Sequence, residues 1–219
     1  MRGRLITVCG LIGSGKSTFT SDLADLINAV PLSEPAGDDR NPYLSLYYED
    51  RERWAFTMQV HLLHHRDSVH QRALEEIHSG RDVVMDSSVW QDMAYADMLF
   101  QSGVMSENEY ETYRYLARLV DRKSILPDVC VYLEVPVFEC FQRIQQRMEL
   151  NTDRTCESSI ELDYLRNLEL SIKRNIEKIP HKVFFPWGDY LPSKDERVHR
   201  IRNLWCLTDD LKAHIRLKN

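Results

Sequence analysis

The chain has 219 residues, 43% of them hydrophobic and 28% charged, and carries a formal net charge of −6 at pH 7. That size and composition suit one domain, residues 1–219, with a sizeable core, and exclude disordered and fibrous classes. The negative balance argues against a polymeric nucleic acid partner, and no apolar run approaches the ~18 residues of a membrane span.

In chain order, "RLITVCG" reads as a strand and "GKSTFTSDLADLI" as the helix after it. The opening "MRGRLITVCGL" meets glycines and a lysine too early for a signal peptide, so no membrane partner and a cytoplasmic location are expected. "AVPLSEP" is a short second strand and "GDDRNPY" a polar loop. The run from "EDRERWAF" to "IHSG" has helical spacing and stops at Gly80. "DVVMD" is a third strand, followed by helices over Gln91–Gln101 and Ser106–Lys123. "DVCVYLEV" is a fourth strand and "VFECFQRIQQRM" its helix; "ELNTDRTCESS" is polar and aperiodic, a mobile loop by composition. "IELDYLRNLELSIKRNI" is an amphipathic helix, "HKVFFPW" a fifth strand, and a terminal helix follows "PSKDE". Strands alternating with longer helices predict an α/β fold, a five-stranded parallel sheet with helices on both faces. Five cysteines without a C-x-x-C pair indicate neither a disulfide frame nor a zinc ribbon, and Cys9 and Cys130 read as buried thiols.

"GLIGSGKST" satisfies G-x-x-x-x-G-K-[ST] between a strand and a helix. Backbone N–H groups of Gly10, Gly13, Ser14, Gly15 and Thr18 would curl around phosphate oxygens at the positive end of the helix. Lys16 adds a point charge on the β- and γ-oxygens, and the Ser17 hydroxyl is placed for Mg²⁺. ATP and Mg²⁺ are therefore the expected cofactors.

Ligands of open α/β sheets bind beyond the carboxyl ends of the strands, and three acids stand there: Glu34, Asp86 and Asp92. An acceptor hydroxyl needs a carboxylate to take its proton, and Mg²⁺ needs oxygen ligands; Glu34 and Asp86 suit those roles. Asp86, Ser87 and Ser88 could equally cap the next helix. His61 and His65 share a helix face, but no H-E-x-x-H frame surrounds them, so a solvated face is the reading.

"SEP", "NPYLSLYYEDRERWAFTMQVHLLHHR", "DSSVWQD", "MSENEYETY", "PDVCVYLEV", "RIQQR" and "ESSIELDYL", in this order, resemble the deoxynucleoside kinase family. The likeness runs from residue 5 to about residue 178 and is strongest to the bacterial deoxyadenosine/deoxyguanosine kinase branch and to deoxycytidine kinases. It implies a P-loop kinase fold and ATP-dependent phosphorylation of a small-molecule deoxynucleoside. Glu34 would activate the 5′-hydroxyl, and Asp86 would meet Mg²⁺ and the reacting groups. Tyr48 and Glu157 would contact the sugar 3′-hydroxyl. Gln59, Arg66 and Asp92 would read the base, with Ile12 and Met58 beside them. Without the resemblance, Tyr48 and Gln59 are equally surface residues of an amphipathic helix, and Arg66 with Asp92 a structural ion pair. Relatives also suggest a homodimer through two exposed helices, and place "FFPWGDY" near the donor adenine.

The chain departs from the family in three places. Ser87 stands where the family has an arginine beside the transferring phosphoryl group. The arginine-rich lid, about residues 143–159, keeps Arg143 and Arg147, but "MELNTD" lengthens it before Arg154, the third arginine place. The lid arginines are expected to clamp the ATP terminal phosphate and to replace the lost charge. Met58 replaces a phenylalanine, and Ala96 falls near another aromatic position, a softer and roomier slot that favours a purine, with deoxycytidine possible. Two alternatives stand beside this reading: a nucleoside monophosphate kinase of thymidylate type, and a nucleotide-binding kinase-fold protein without turnover.

Overall fold

Short runs rich in Val, Ile and Leu form the five strands of one parallel sheet in the computed structural model, which describes residues 2–33, 41–86, 88–121, 124–150, 152–188 and 193–207. The strands are β1 (Leu5–Cys9), β2 (Val30–Leu32), β3 (Val83–Asp86), β4 (Val129–Glu134) and β5 (Lys182–Pro186), in the order β2-β3-β1-β4-β5. Every residue of β1 and β3 is buried, as befits strands covered on both faces.

The crossover from β1 to β2, through α1 (Lys16–Ile27), runs one way along the sheet, and every later crossover runs the other way. Right-handed crossovers of opposite direction lie on opposite faces. So α1 covers one face, joined by α8 (Lys194–Leu207), whose Arg197 pairs with the buried Asp22 of α1 at 2.6 Å. The other face takes α3 (Arg51–His78), α4 (Val89–Gln101), α5 (Glu107–Asp121), α6 (Val137–Leu150) and α7 (Leu162–Ile176). Phe19 of α1 meets Phe185 of β5 and Trp187 edge-on, at centroid distances of 5.1 and 5.0 Å. Cys9 and Cys130 are wholly buried, as expected, with their sulfurs 3.6 Å apart.

The direction reverses at β1, which makes the carboxyl ends of β1 and β3 the natural cleft. There the register pairs Val8 with Asp86, so the loop after β1 and the carboxylate ending β3 become neighbours.

Two segments differ from the sequence reading. Between the expected polar loop, which ends at Tyr43, and the expected helical run, which starts at Glu49, stands a short helix, α2 (Leu44–Glu49), separated from α3 by Asp50, whose side chain accepts from Arg53 N and caps α3. The segment expected to be a mobile loop is a 3₁₀ helix, Thr152–Ser159, packed on α6 and α2. Glu34 and Ser87 lie outside the described residues. No helix among the described residues is long and apolar enough to cross a membrane.

Candidate active site

The phosphate loop takes its shape from glycines that no other residue replaces cheaply. Gly13 has φ +80°, and a Cβ there would stand 2.5 Å from the carbonyl oxygen of Cys140 in α6. Gly15, at φ +84°, turns into α1 beneath Trp187 Nε1 and Arg143 Nη1. Gly13→Ala should therefore push α6 off the loop and weaken donor binding at least tenfold, since both the backbone conformation and the contact are lost. Titration with a fluorescent ATP analogue measures this directly.

Within the loop, Lys16 Nζ donates to the carbonyls of Gly10 (3.1 Å) and Leu11 (2.8 Å). Gly10 N donates to Gln91 Oε1 (3.1 Å), so a buried α4 side chain pins the loop's first glycine. Ser14 is buried, and its carbonyl accepts from Arg143 Nη1 at 3.2 Å; Arg143 also pairs with Glu139. Thr18 is exposed on the first turn of α1.

Ser17 Oγ donates to Asp86 Oδ2 at 2.6 Å, while Asp86 Oδ1 is buried without a partner among the described residues. The helix cap is Ser88, whose side chain accepts from Gln91 N, so capping does not explain Asp86. A hydroxyl beside a carboxylate with one idle oxygen fits Mg²⁺, which typically takes one or two carboxylates and completes its shell with phosphate oxygens and water. Among the described residues no group of three or more His, Cys, Asp or Glu could hold a metal by itself.

From this point a cavity of about 230 Å³ runs between α3, α4, α7 and the 3₁₀ helix. Ile12, Gly13, Lys16, Ser17 and Asp86 line one end. Met58, Gln59, Arg66 and Asp92 also line it, from α3 and α4. Gln59 is buried with its Oε1 unpartnered among the described residues. Arg66 Nε donates to both Asp92 oxygens, at 2.9 and 2.8 Å, and both residues are buried. Burial lifts the Asp92 carboxyl above its ordinary value, and Arg66 opposes that lift.

Tyr48 and Glu157 also line this cavity. Burial, then Tyr47 and the Glu157 carboxylate, push the Tyr48 hydroxyl well above its usual range, so it remains a proton donor. Glu157 is buried and accepts from Arg147 Nη2 (2.6 Å) and Arg154 Nη1 (3.1 Å). The two lid arginines expected at the donor phosphate thus both pair with Glu157, and both border the cavity.

Two expectations shift. His65 is half-buried, borders the cavity and has its Nε2 3.2 Å from that of His61, so His65 belongs to the cleft wall, while His64 is exposed as expected. Ala96 does not reach the cavity; it packs with Leu63, Tyr113 and Ala117, and the wall residue is its neighbour Tyr95. Only Met58 carries the argument for a softer slot. Sequence reasoning missed Leu44, Tyr47, Gln91, Tyr95 and Tyr164. The i+3 step from Asp92 to Tyr95 on one helix face was the available signal for the last wall of α4.

Comparison with known proteins shows the family. A family model described as deoxynucleoside kinase matches residues 6–193. The deoxyadenosine kinase of Dictyostelium discoideum is 31% identical over 168 residues, 77% of this chain and 64% of that protein. The deoxyadenosine/deoxycytidine kinase of Bacillus subtilis (strain 168) is 36% identical over 160 residues, 70% of this chain and 71% of that one. The match thus spans less than two thirds of the Dictyostelium relative's length. A solved structure of deoxyadenosine kinase from M. mycoides with bound dATP shares the fold, with a TM-score of 0.73 at 22% identity, covering 91% of this chain and 98% of that one.

Proposed function

Because the chain belongs to the deoxynucleoside kinase family, we propose that it transfers the γ-phosphoryl group of ATP to the 5′-hydroxyl of a deoxynucleoside. The observation that carries this reading is one cavity with two chemistries. Lys16, Ser17 and Asp86 suit phosphate and metal, while Gln59 and the Arg66–Asp92 pair suit a base edge. Tyr48 and Glu157 offer a donor and an acceptor to the sugar.

In the proposed step the 5′-oxygen bonds to the γ-phosphorus as the bond to the β–γ bridging oxygen breaks, leaving ADP. Glu34, two residues past β2, takes the hydroxyl proton. Lys16 and the loop amides hold the donor oxygens, and Ser17 with Asp86 would hold Mg²⁺, whose charge offsets that of the β- and γ-oxygens. Arg143 borders the donor, with Trp187 nearby. Arg147 and Arg154 line the cavity beside the reacting groups and supply the charge that Ser87 lacks. Most of the acceleration is positioning and electrostatics.

A purine deoxynucleoside is favoured, because Met58 leaves a deformable slot and the relatives compared are named for deoxyadenosine. Deoxycytidine remains a second acceptor. A homodimer in the cytoplasm completes the proposal.

The test is ADP release with ATP and Mg²⁺ over the four deoxynucleosides and their monophosphates. Turnover with deoxynucleosides, fastest with a purine, is the expected result. Turnover with monophosphates alone would select a thymidylate-type kinase, and nucleotide binding without turnover a protein that uses the fold for assembly or regulation.

A further inference from the structure

The 3₁₀ helix brings Arg154 and Glu157 to the cavity, yet it is only eight residues long and its own hydrogen bonds are weak. Something outside it must fix its far end. Arg51, the first residue of α3, does so. Its Nη2 donates to the Ser159 carbonyl at 2.6 Å and to Ser159 Oγ at 3.2 Å. A guanidinium on the last carbonyl of a helical segment satisfies an orphan acceptor and opposes the segment dipole.

The same guanidinium lies 5.0 Å from the ring centroid of Tyr164 and 5.8 Å from that of Tyr48. Both rings line the cavity. Arg51 therefore touches the end of the lid, the α7 wall and the α2 wall at once, from outside the cavity. Arg147 and Arg154 fix Glu157 from the other side.

We infer that Arg51 is a positioning residue which clasps the 3₁₀ lid segment to the acceptor wall and so sets the spacing of Glu157 and Tyr48 around the sugar. The inference rests on the proposed acceptor reading for its kinetic consequence, but its structural content stands apart from it. Arginine suits the place because Nη2 alone serves both Ser159 oxygens, which leaves the rest of the guanidinium beside two rings. Lysine keeps the charge but loses the guanidinium beside the rings.

The test uses Arg51→Ala and Arg51→Lys in the full chain. For Arg51→Ala the deoxynucleoside KM should rise about tenfold, the scale of a lost charged hydrogen bond, with the ATP KM changed less than about twofold. Selectivity for a 2′-deoxynucleoside over its 2′,3′-dideoxy counterpart should fall at least about fivefold, because the 3′-hydroxyl loses its aligned partners. Arg51→Lys should lie between. General loosening of the fold would not move that ratio. Independently of turnover, tryptic cleavage after Arg147 or Arg154 should quicken several-fold in Arg51→Ala. An unchanged KM split and an unchanged sugar ratio in an active enzyme would overturn the inference. Unchanged cleavage would overturn it even if the wild-type chain phosphorylated no nucleoside, so failure of the clasp and failure of the proposed activity are separable.

Discussion

Asp86→Asn is expected to lower kcat by about two to three orders of magnitude, the scale of removing one preorganised charge-stabilising group, while the protein melts no lower than wild type. The two halves come from the same geometry. Asp86 is buried, one oxygen accepts from Ser17 and the other has no partner among the described residues. A buried carboxylate held so incompletely costs stability. Asparagine removes the charge and keeps the shape, so folding is relieved while the proposed Mg²⁺ site loses its carboxylate. Steady-state kinetics with a thermal melt distinguishes this from a structural acid, whose loss would lower the melting temperature.

Arg66→Met should have the opposite signature, with stability falling by about 3–5 kcal/mol because Asp92 is left buried and unpaired. The sign of the pH dependence follows. Burial already holds the Asp92 carboxyl above its ordinary value, and without Arg66 it rises further. A raised folded-state pKa means the native state binds the proton that the unfolded state releases. Stability is then greatest at low pH and declines as pH rises through the unfolded value towards the raised one. The variant should accordingly regain melting temperature relative to wild type near pH 5 and lose it near pH 8. Arg66→Met combined with Asp92→Leu should recover stability without recovering activity, since the pair is also the proposed base reader. Melting curves across pH check the first part, and kcat/KM for each deoxynucleoside checks the second.

The donor half of the site was legible because it is local. "GLIGSGKST" contains its glycines, lysine and serine in one stretch, and Asp86 ends an apolar run that can only be a buried strand. Arg66 and Asp92 stand on different helices, so spacing alone could not join them; the resemblance did, and the structure pairs them at 2.8 Å.

The short helix α2 falls in a stretch, residues 44–48, that the sequence pattern assigns to no element, although Asn41-Pro42 carries a start signal: the Asn41 side chain accepts from Tyr43 N at 3.2 Å. Leu44 and Tyr47 stand in that stretch and line the cavity. The lid was read as aperiodic because a 3₁₀ turn repeats every three residues and shows no 3.6-residue pattern. Glu157 nevertheless lines the cavity, paired with Arg147 and Arg154. Tyr95 was missed for its neighbour Ala96, one residue round the helix.

A crystal grown with a deoxynucleoside and a non-hydrolysable ATP analogue tests the central claim most directly. The base is expected against Gln59 and Arg66, the sugar between Tyr48 and Glu157, and the 5′-oxygen within hydrogen-bond reach of Glu34, facing the terminal phosphate held by Lys16. A nucleoside bound elsewhere, or one whose 5′-oxygen points away from Lys16 and Glu34, would contradict it.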